Sequence, residues 1–147
     1  MPLDKYITFK SLEGNWDFIR KIDNKFTAPL SGVVTGTASF SPILRDPNIL
    51  DYVENGELIT ISGHKNAVTQ EYFYRLTDAN DIEVYFGSGG EILEFFHVIN
   101  DGVIADHICR DDCYRVKYEF GDDKFSIVYD VIGPNKNYIS NTKFKRK

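Results

Sequence analysis

The stretch Tyr114-Arg115-Val116-Lys117-Tyr118-Glu119-Phe120-Gly121-Asp122-Asp123-Lys124-Phe125-Ser126-Ile127-Val128-Tyr129-Asp130-Val131 decides the fold. Its first part alternates: Tyr114, Val116, Tyr118 and Phe120 stand on one side, Arg115, Lys117 and Glu119 on the other. Past Gly121-Asp122-Asp123, the residues Phe125, Ile127, Tyr129 and Val131 again share a side. Successive side chains of an extended chain point to opposite faces. This segment therefore reads as two strands, each with one buried face, joined by a turn.

The same punctuation runs outward in both directions. Turn-forming groups recur at Asp23-Asn24, Ser31-Gly32, Asn55-Gly56, Ser62-Gly63, 78–81, 87–90, Asp101-Gly102, Asp111-Asp112 and Gly133-Pro134. The Val-, Ile-, Thr-, Tyr- and Phe-rich segments between them predict strands near 15–22, 33–41, 51–61, 67–77, 81–86, 92–99, 103–109, 113–121, 124–132 and 138–146. Asn55-Gly56 is a candidate hairpin that would split the third of these. Only the lead-in Lys5 to Glu13 offers a helix, as one short turn. With no repeat, linker or low-complexity stretch, the 147 residues predict one domain over 1–147. Its fold class is all-β, an antiparallel up-and-down barrel of about ten strands.

Composition narrows the function classes. The net charge of −5 argues against general nucleic-acid binding, which needs a cationic surface to displace counterions. The basic run Lys143, Lys145, Arg146, Lys147 reads as the solvated end of the last strand. No apolar stretch reaches the roughly 20 residues of a membrane-spanning helix. The segment Met1 to Tyr6 lacks a signal-peptide apolar region, so a cytoplasmic location and reduced Cys109 and Cys113 are expected. A disulfide between the two would be labile there.

Alternation turns Trp16, Phe18, Arg20 and Ile22 to one side, and sets Tyr72, Tyr74 and Leu76 against Glu71, Phe73 and Arg75. Inward tyrosines are informative, because a buried phenol needs a hydrogen-bond partner. A barrel of eight to ten strands has room for one small molecule.

Two resemblances reinforce the barrel. Gly14-Asn15-Trp16 after a short lead-in resembles the opening of lipocalin and calycin barrels. That likeness implies that Trp16 plugs one end, with Arg146 of the last strand across its ring. A wider pattern begins at Leu12-Glu13-Gly14-Asn15-Trp16 with Arg20, and continues through Gly36 to Phe40, Tyr52 to Gly56, Glu83 to Phe86 and Phe96-His97. It ends with His107-Ile108-Cys109, Asp112, Tyr114, Gly133 to Tyr138 and Arg146. In this order the chain resembles a small lipocalin-like family known as a domain of unknown function. The resemblance implies a barrel and brings no substrate or catalytic residue. The chain departs from that family's pattern at Gln70 and Tyr129, and Cys113 is an addition.

Candidate site residues follow from the inner faces. On the hairpin Leu93 to Cys109, alternation turns Phe95, His97 and Ile99 inward, together with Ala105, His107 and Cys109. An even register around Asp101-Gly102 brings His97 within reach of His107, whereas a one-residue slip separates them. Two imidazoles and a thiol suit a haem or metal, or acid–base chemistry, and they also suit a hydrogen-bonded core. No metal site is assigned, and His64 has no evident partner. Arg20, sharing a side with Trp16, needs a carboxylate, tyrosine hydroxyls or an anionic ligand inside the barrel. Lys136, in the Gly133 to Tyr138 turn, is placed to meet an anion at the mouth. P-loop, nucleophile-elbow, HExxH and CxxC motifs do not occur.

The sequence thus predicts a barrel holding a partly apolar, possibly anionic small molecule among Arg20, Tyr74, His97, His107, Cys109, Tyr114 and Tyr118. A small-molecule isomerase, lyase or hydrolase using His97 and His107 is the first alternative, with Tyr114 assisting. Haem or metal binding is the second. The cofactor, oligomeric state and ligand are not specified by the residues.

Overall fold

The computed structural model describes residues 4–99, 104–109 and 112–147, with 104–109 described as backbone. A helix, α1 (Lys5–Leu12), leads into β1 (Gly14–Asn24). A short helical turn at Ala28–Leu30 precedes β2 (Gly32–Ile43), followed by β3 (Asp46–Thr60), β4 (Lys65–Leu76) and β5 (Ile82–Ser88). Then come β6 (Glu91–Ile99), β7 (Ile104–Cys109), β8 (Asp112–Gly121), β9 (Lys124–Ile132) and β10 (Asn137–Arg146). All belong to one ten-stranded sheet in the order β6-β5-β4-β3-β2-β1-β10-β9-β8-β7. Every described pairing is antiparallel. The first and last strands close on each other through β1 and β10, from Trp16 opposite Arg146 to Asn24 opposite Tyr138. The sheet curls into a nearly closed barrel whose two ends, β6 and β7, lie in contact, with no ladder between them among the described pairings.

The hairpin 114–131 forms as its alternation predicts, with Tyr118 opposite Ile127 and Phe120 opposite Phe125. Other local readings change. The lead-in makes a helix of eight residues rather than one turn, started by Asp4, whose carboxylate accepts the Ile7 amide at 3.0 Å. Phe9 and Leu12 of α1 are buried and close one end of the barrel, and the Trp16 indole donates to the Leu12 carbonyl at 2.9 Å.

Asn55-Gly56 does not split β3. Gly56 lies opposite Gly36, and a Cβ on Gly36 would stand 2.1 Å from the Asn55 carbonyl oxygen. The glycines let two strongly curved strands approach, instead of making a turn. The chain turns instead at Leu44-Arg45, which lengthens β2 and β3 toward each other.

The register of β5 and β6 shifts, with Tyr85 opposite Phe95 but Val84 opposite His97. Phe96 is the extra residue of a bulge, which breaks the alternation. Phe96 and His97 are both buried while Phe95 is exposed, so the inward placement expected for Phe95 is corrected.

Candidate functional site

Strand β1 runs away from the end that α1 closes, so successive inward residues sample the barrel from bottom to mouth. At the closed end Trp16 meets Phe125 edge to face at 4.8 Å, and the Arg146 guanidinium lies 4.2 Å from the Trp16 ring centre. Arg146 also donates to the Glu13 and Ser11 carbonyls and to Asp123. A recess of about 440 Å³ lies at this end, walled by Ser11, Trp16, Phe120, Lys124 and Arg146.

Next along β1 comes Arg20, buried inside the barrel. Its two terminal nitrogens donate to Glu54 Oε2 and Oε1, each at 2.8 Å, and its Nε donates to Thr142 Oγ1 at 2.7 Å. Tyr52 donates to Glu54 Oε1 at 2.6 Å. Glu54 is fully buried. Burial alone would lower the Arg20 pKa, but the hydrogen bonds and charge of Glu54 outweigh it and raise the value. Such forked pairing is the strong form of an ion pair. Arg20 thus finds its carboxylate within the protein.

A second buried chain runs through His97, Tyr118 and Tyr74. His97 Nε2 lies 2.9 Å from the Tyr118 hydroxyl, which lies 3.1 Å from the Tyr74 hydroxyl. Burial pushes both phenols up, so they stay protonated at neutral pH. Both ends of this chain are buried among aromatic side chains.

Toward the open end the inner surface changes character. Tyr72, Tyr129 and Tyr138 are only half-buried, although protein surrounds their rings and burial raises their pKa values. Their hydroxyls bond to no described residue and are not sealed from solvent. Tyr72 and Tyr129 sense the charges of Arg20 and Glu54, and Tyr138 that of Arg20, so the three phenols share the electrostatic surroundings of the ion pair. At the rim the exposed Lys136 donates to the Tyr114 hydroxyl at 2.8 Å, and this bond raises the Lys136 pKa. Phe86 and Phe96 complete the aromatic wall.

Of the residues singled out in the sequence, the structure joins Tyr74, His97 and Tyr118 in one network and holds Arg20 in another. Tyr114 stands apart at the rim. Residue 107 pairs with Tyr114 across β7 and β8, and 109 with Asp112; the side chains of His107 and Cys109 lie outside the described residues. β6 and β7 stand at the two ends of the described sheet order, and the juxtaposition of His97 with His107 that depends on their register lies outside the described residues. Cys113 is an exposed thiol. Among the described residues no three His, Cys, Asp or Glu side chains gather as a metal site, and no helix is long and apolar enough to cross a membrane.

Sequence reasoning missed Glu54, Tyr72, Tyr129, Tyr138 and Phe96 as site residues. Parity with Tyr52 marks Glu54 as inward, and parity with Phe125 does the same for Tyr129. Phe96 carried no such signal.

Residues 12–146 match the model of the family of unknown function DUF6314, and the chain belongs to that family. No curated protein matches it. Among solved structures the fold is similar to the S-type phycobiliprotein lyase CPES from Guillardia theta, with a TM-score of 0.68 at 10% identity over 99% of this chain and 93% of that one. A de novo designed fluorescence-activating β-barrel matches at a TM-score of 0.49 and 12% identity, over 99% of each chain. A Bacteroides ovatus protein of unknown function matches at a TM-score of 0.32 and 12% identity, over 91% of this chain and 41% of that one. The first of these likenesses makes the fold that of a calycin-like barrel.

Proposed function

We propose that this barrel binds a small molecule at its open end, above the Arg20–Glu54 pair. The single observation that carries this reading is the state of Tyr72, Tyr129 and Tyr138. Their rings are packed, yet their hydroxyls reach solvent with no hydrogen bond to a described residue. Packed phenols ordinarily find partners within the protein. A concave, largely apolar surface with a few convergent polar groups is the usual form of a ligand site.

An anionic group docked on Arg20 has no support, since Glu54 already compensates that charge. His97 is likewise engaged with Tyr118 at the closed half, so the acid–base alternative gains nothing from the geometry.

The test is a small-molecule thermal-shift screen on the wild type and on a Tyr129→Phe/Tyr138→Phe variant, with native mass spectrometry of hits. Hits that bind one to one and weaken in the variant are expected. Hits indifferent to the variant, or none at all, would overturn the proposal.

A further inference from the structure

The open end has an order that bears on what it binds. The extra residue of the β6 bulge, Phe96, stands at the centre of an aromatic group drawn from separate strands. Phe86 lies 4.4 Å from it with planes 21° apart, Tyr72 lies 6.2 Å away at 22°, and Tyr129 lies 6.1 Å away at 11°. The rings from β4, β5 and β9 therefore each lie close to the plane of Phe96, nearest for Tyr129, while Tyr72 and Phe86 stand 42° from one another. Tyr114 meets Phe96 edge-on at 5.8 Å and 88°, which makes it a side wall. Of the aligned rings, Tyr72, Phe86 and Tyr129 remain half-exposed.

Electrostatics adds a second constraint. The floor is an ion pair of zero net charge, with Arg20 committed to Glu54 and Thr142. An anion pressed onto this floor would meet the Glu54 carboxylate as closely as the guanidinium, in a site poor in water to screen it. The walls offer phenol O–H donors instead, and burial keeps them protonated.

We infer that the ligand is a planar, conjugated molecule whose buried part carries no net negative charge and presents hydrogen-bond acceptors such as carbonyl oxygen or ring nitrogen. Rings close to the plane of Phe96 accept a flat molecule over a narrow range of tilts, by offset stacking against Tyr72 and Tyr129. A flexible alkyl chain gains nothing from that alignment. The inference rests on the binding reading above and specifies its ligand class.

The experiment uses the full chain and defined probes: acridone, a planar neutral ketone; its carboxylate analogue; and decanol. Acridone binding is followed by fluorescence anisotropy and the others by competition and calorimetry. Saturable one-to-one acridone binding is expected, with the carboxylate about tenfold weaker and decanol a poor competitor. Tyr129→Leu should weaken acridone about tenfold, and Tyr129→Phe, which keeps the ring, by about threefold. Tyr72→Leu is the second variant should Tyr129→Leu fail to fold by circular dichroism. If decanol binds and acridone does not, the inference falls while the binding reading stands. The same holds if the carboxylate binds as well as acridone; if acridone binds and the ring deletions change nothing, it binds elsewhere and both readings fall. If no probe binds and the screen is also empty, both fall.

Discussion

Arg20 of β1 and Glu54 of β3 meet across the barrel interior through two hydrogen bonds of 2.8 Å, although β2 lies between their strands. Between them β2 presents Gly36, which has no side chain to interrupt the pair. Truncating one partner leaves the other charge buried and uncompensated. Arg20→Met or Glu54→Gln should therefore cost about 3–5 kcal/mol in urea unfolding. The double variant Arg20→Met/Glu54→Leu, which removes both charges, should recover much of that loss. A single variant costing under about 1 kcal/mol would show the pair to be better solvated than its burial implies.

Asp51, on the outer face of β3 beside β4, makes stability depend on pH. Its Oδ1 is buried. Burial first, then the hydrogen bond and charge of Glu71, push its pKa from 3.8 up to about 7. The folded chain thus holds this proton more tightly than the unfolded chain. The resulting stabilisation is complete below the unfolded value and is lost as pH rises through about 7. Asp51→Asn should match the wild type in thermal midpoint at about pH 4 and exceed it at about pH 8. Parallel curves for the two proteins across that window would contradict the assignment.

Arg146 holds the closed end together by several contacts at once. It covers the Trp16 ring, reaches back to two carbonyls before β1, and pairs with Asp123 of the β8–β9 turn. Arg146→Ala should lose about 1–3 kcal/mol. It should also change the emission of Trp16, the chain's one tryptophan. Arg146→Lys keeps the charge but not the fork of donors, and should fall between the two. Unaltered emission in the alanine variant would mean the guanidinium does not cover the ring in solution.

The barrel was legible in the sequence because alternation and turn punctuation are local signals, and the hairpin 114–131 carries both. The site was legible only where parity survived. Arg20 follows Trp16 and Phe18 at even spacing, and its inward direction could be read. Glu54 is as regular, two residues past Tyr52, but the adjacent Asn55-Gly56 mimics a hairpin turn and hides it. A bulge adds one residue and flips the faces beyond it. Nothing in Phe95-Phe96-His97 indicates which residue is extra, so plain alternation turns Phe95 inward in place of Phe96. The partner across an interior, such as Glu54 for Arg20, depends on curvature that no local pattern encodes.

The buried chain from His97 to Tyr74 depends on one hydroxyl. Tyr118 serves both neighbours, at 2.9 Å from His97 Nε2 and 3.1 Å from the Tyr74 oxygen. Tyr118→Phe preserves the ring and its stacking on Phe120 but withdraws the shared partner from two buried polar atoms. The cost should be about 1–3 kcal/mol. Tyr74→Phe removes an end of the chain and leaves the bond between Tyr118 and His97, so its cost should be smaller, about 1 kcal/mol. Neither residue lies at the open end, so acridone affinity should stay within about twofold of wild type in both variants. Equal costs would place the two hydroxyls in equivalent roles. A large loss of affinity in Tyr118→Phe would extend the binding site down to His97 and revive the sequence's first choice of centre.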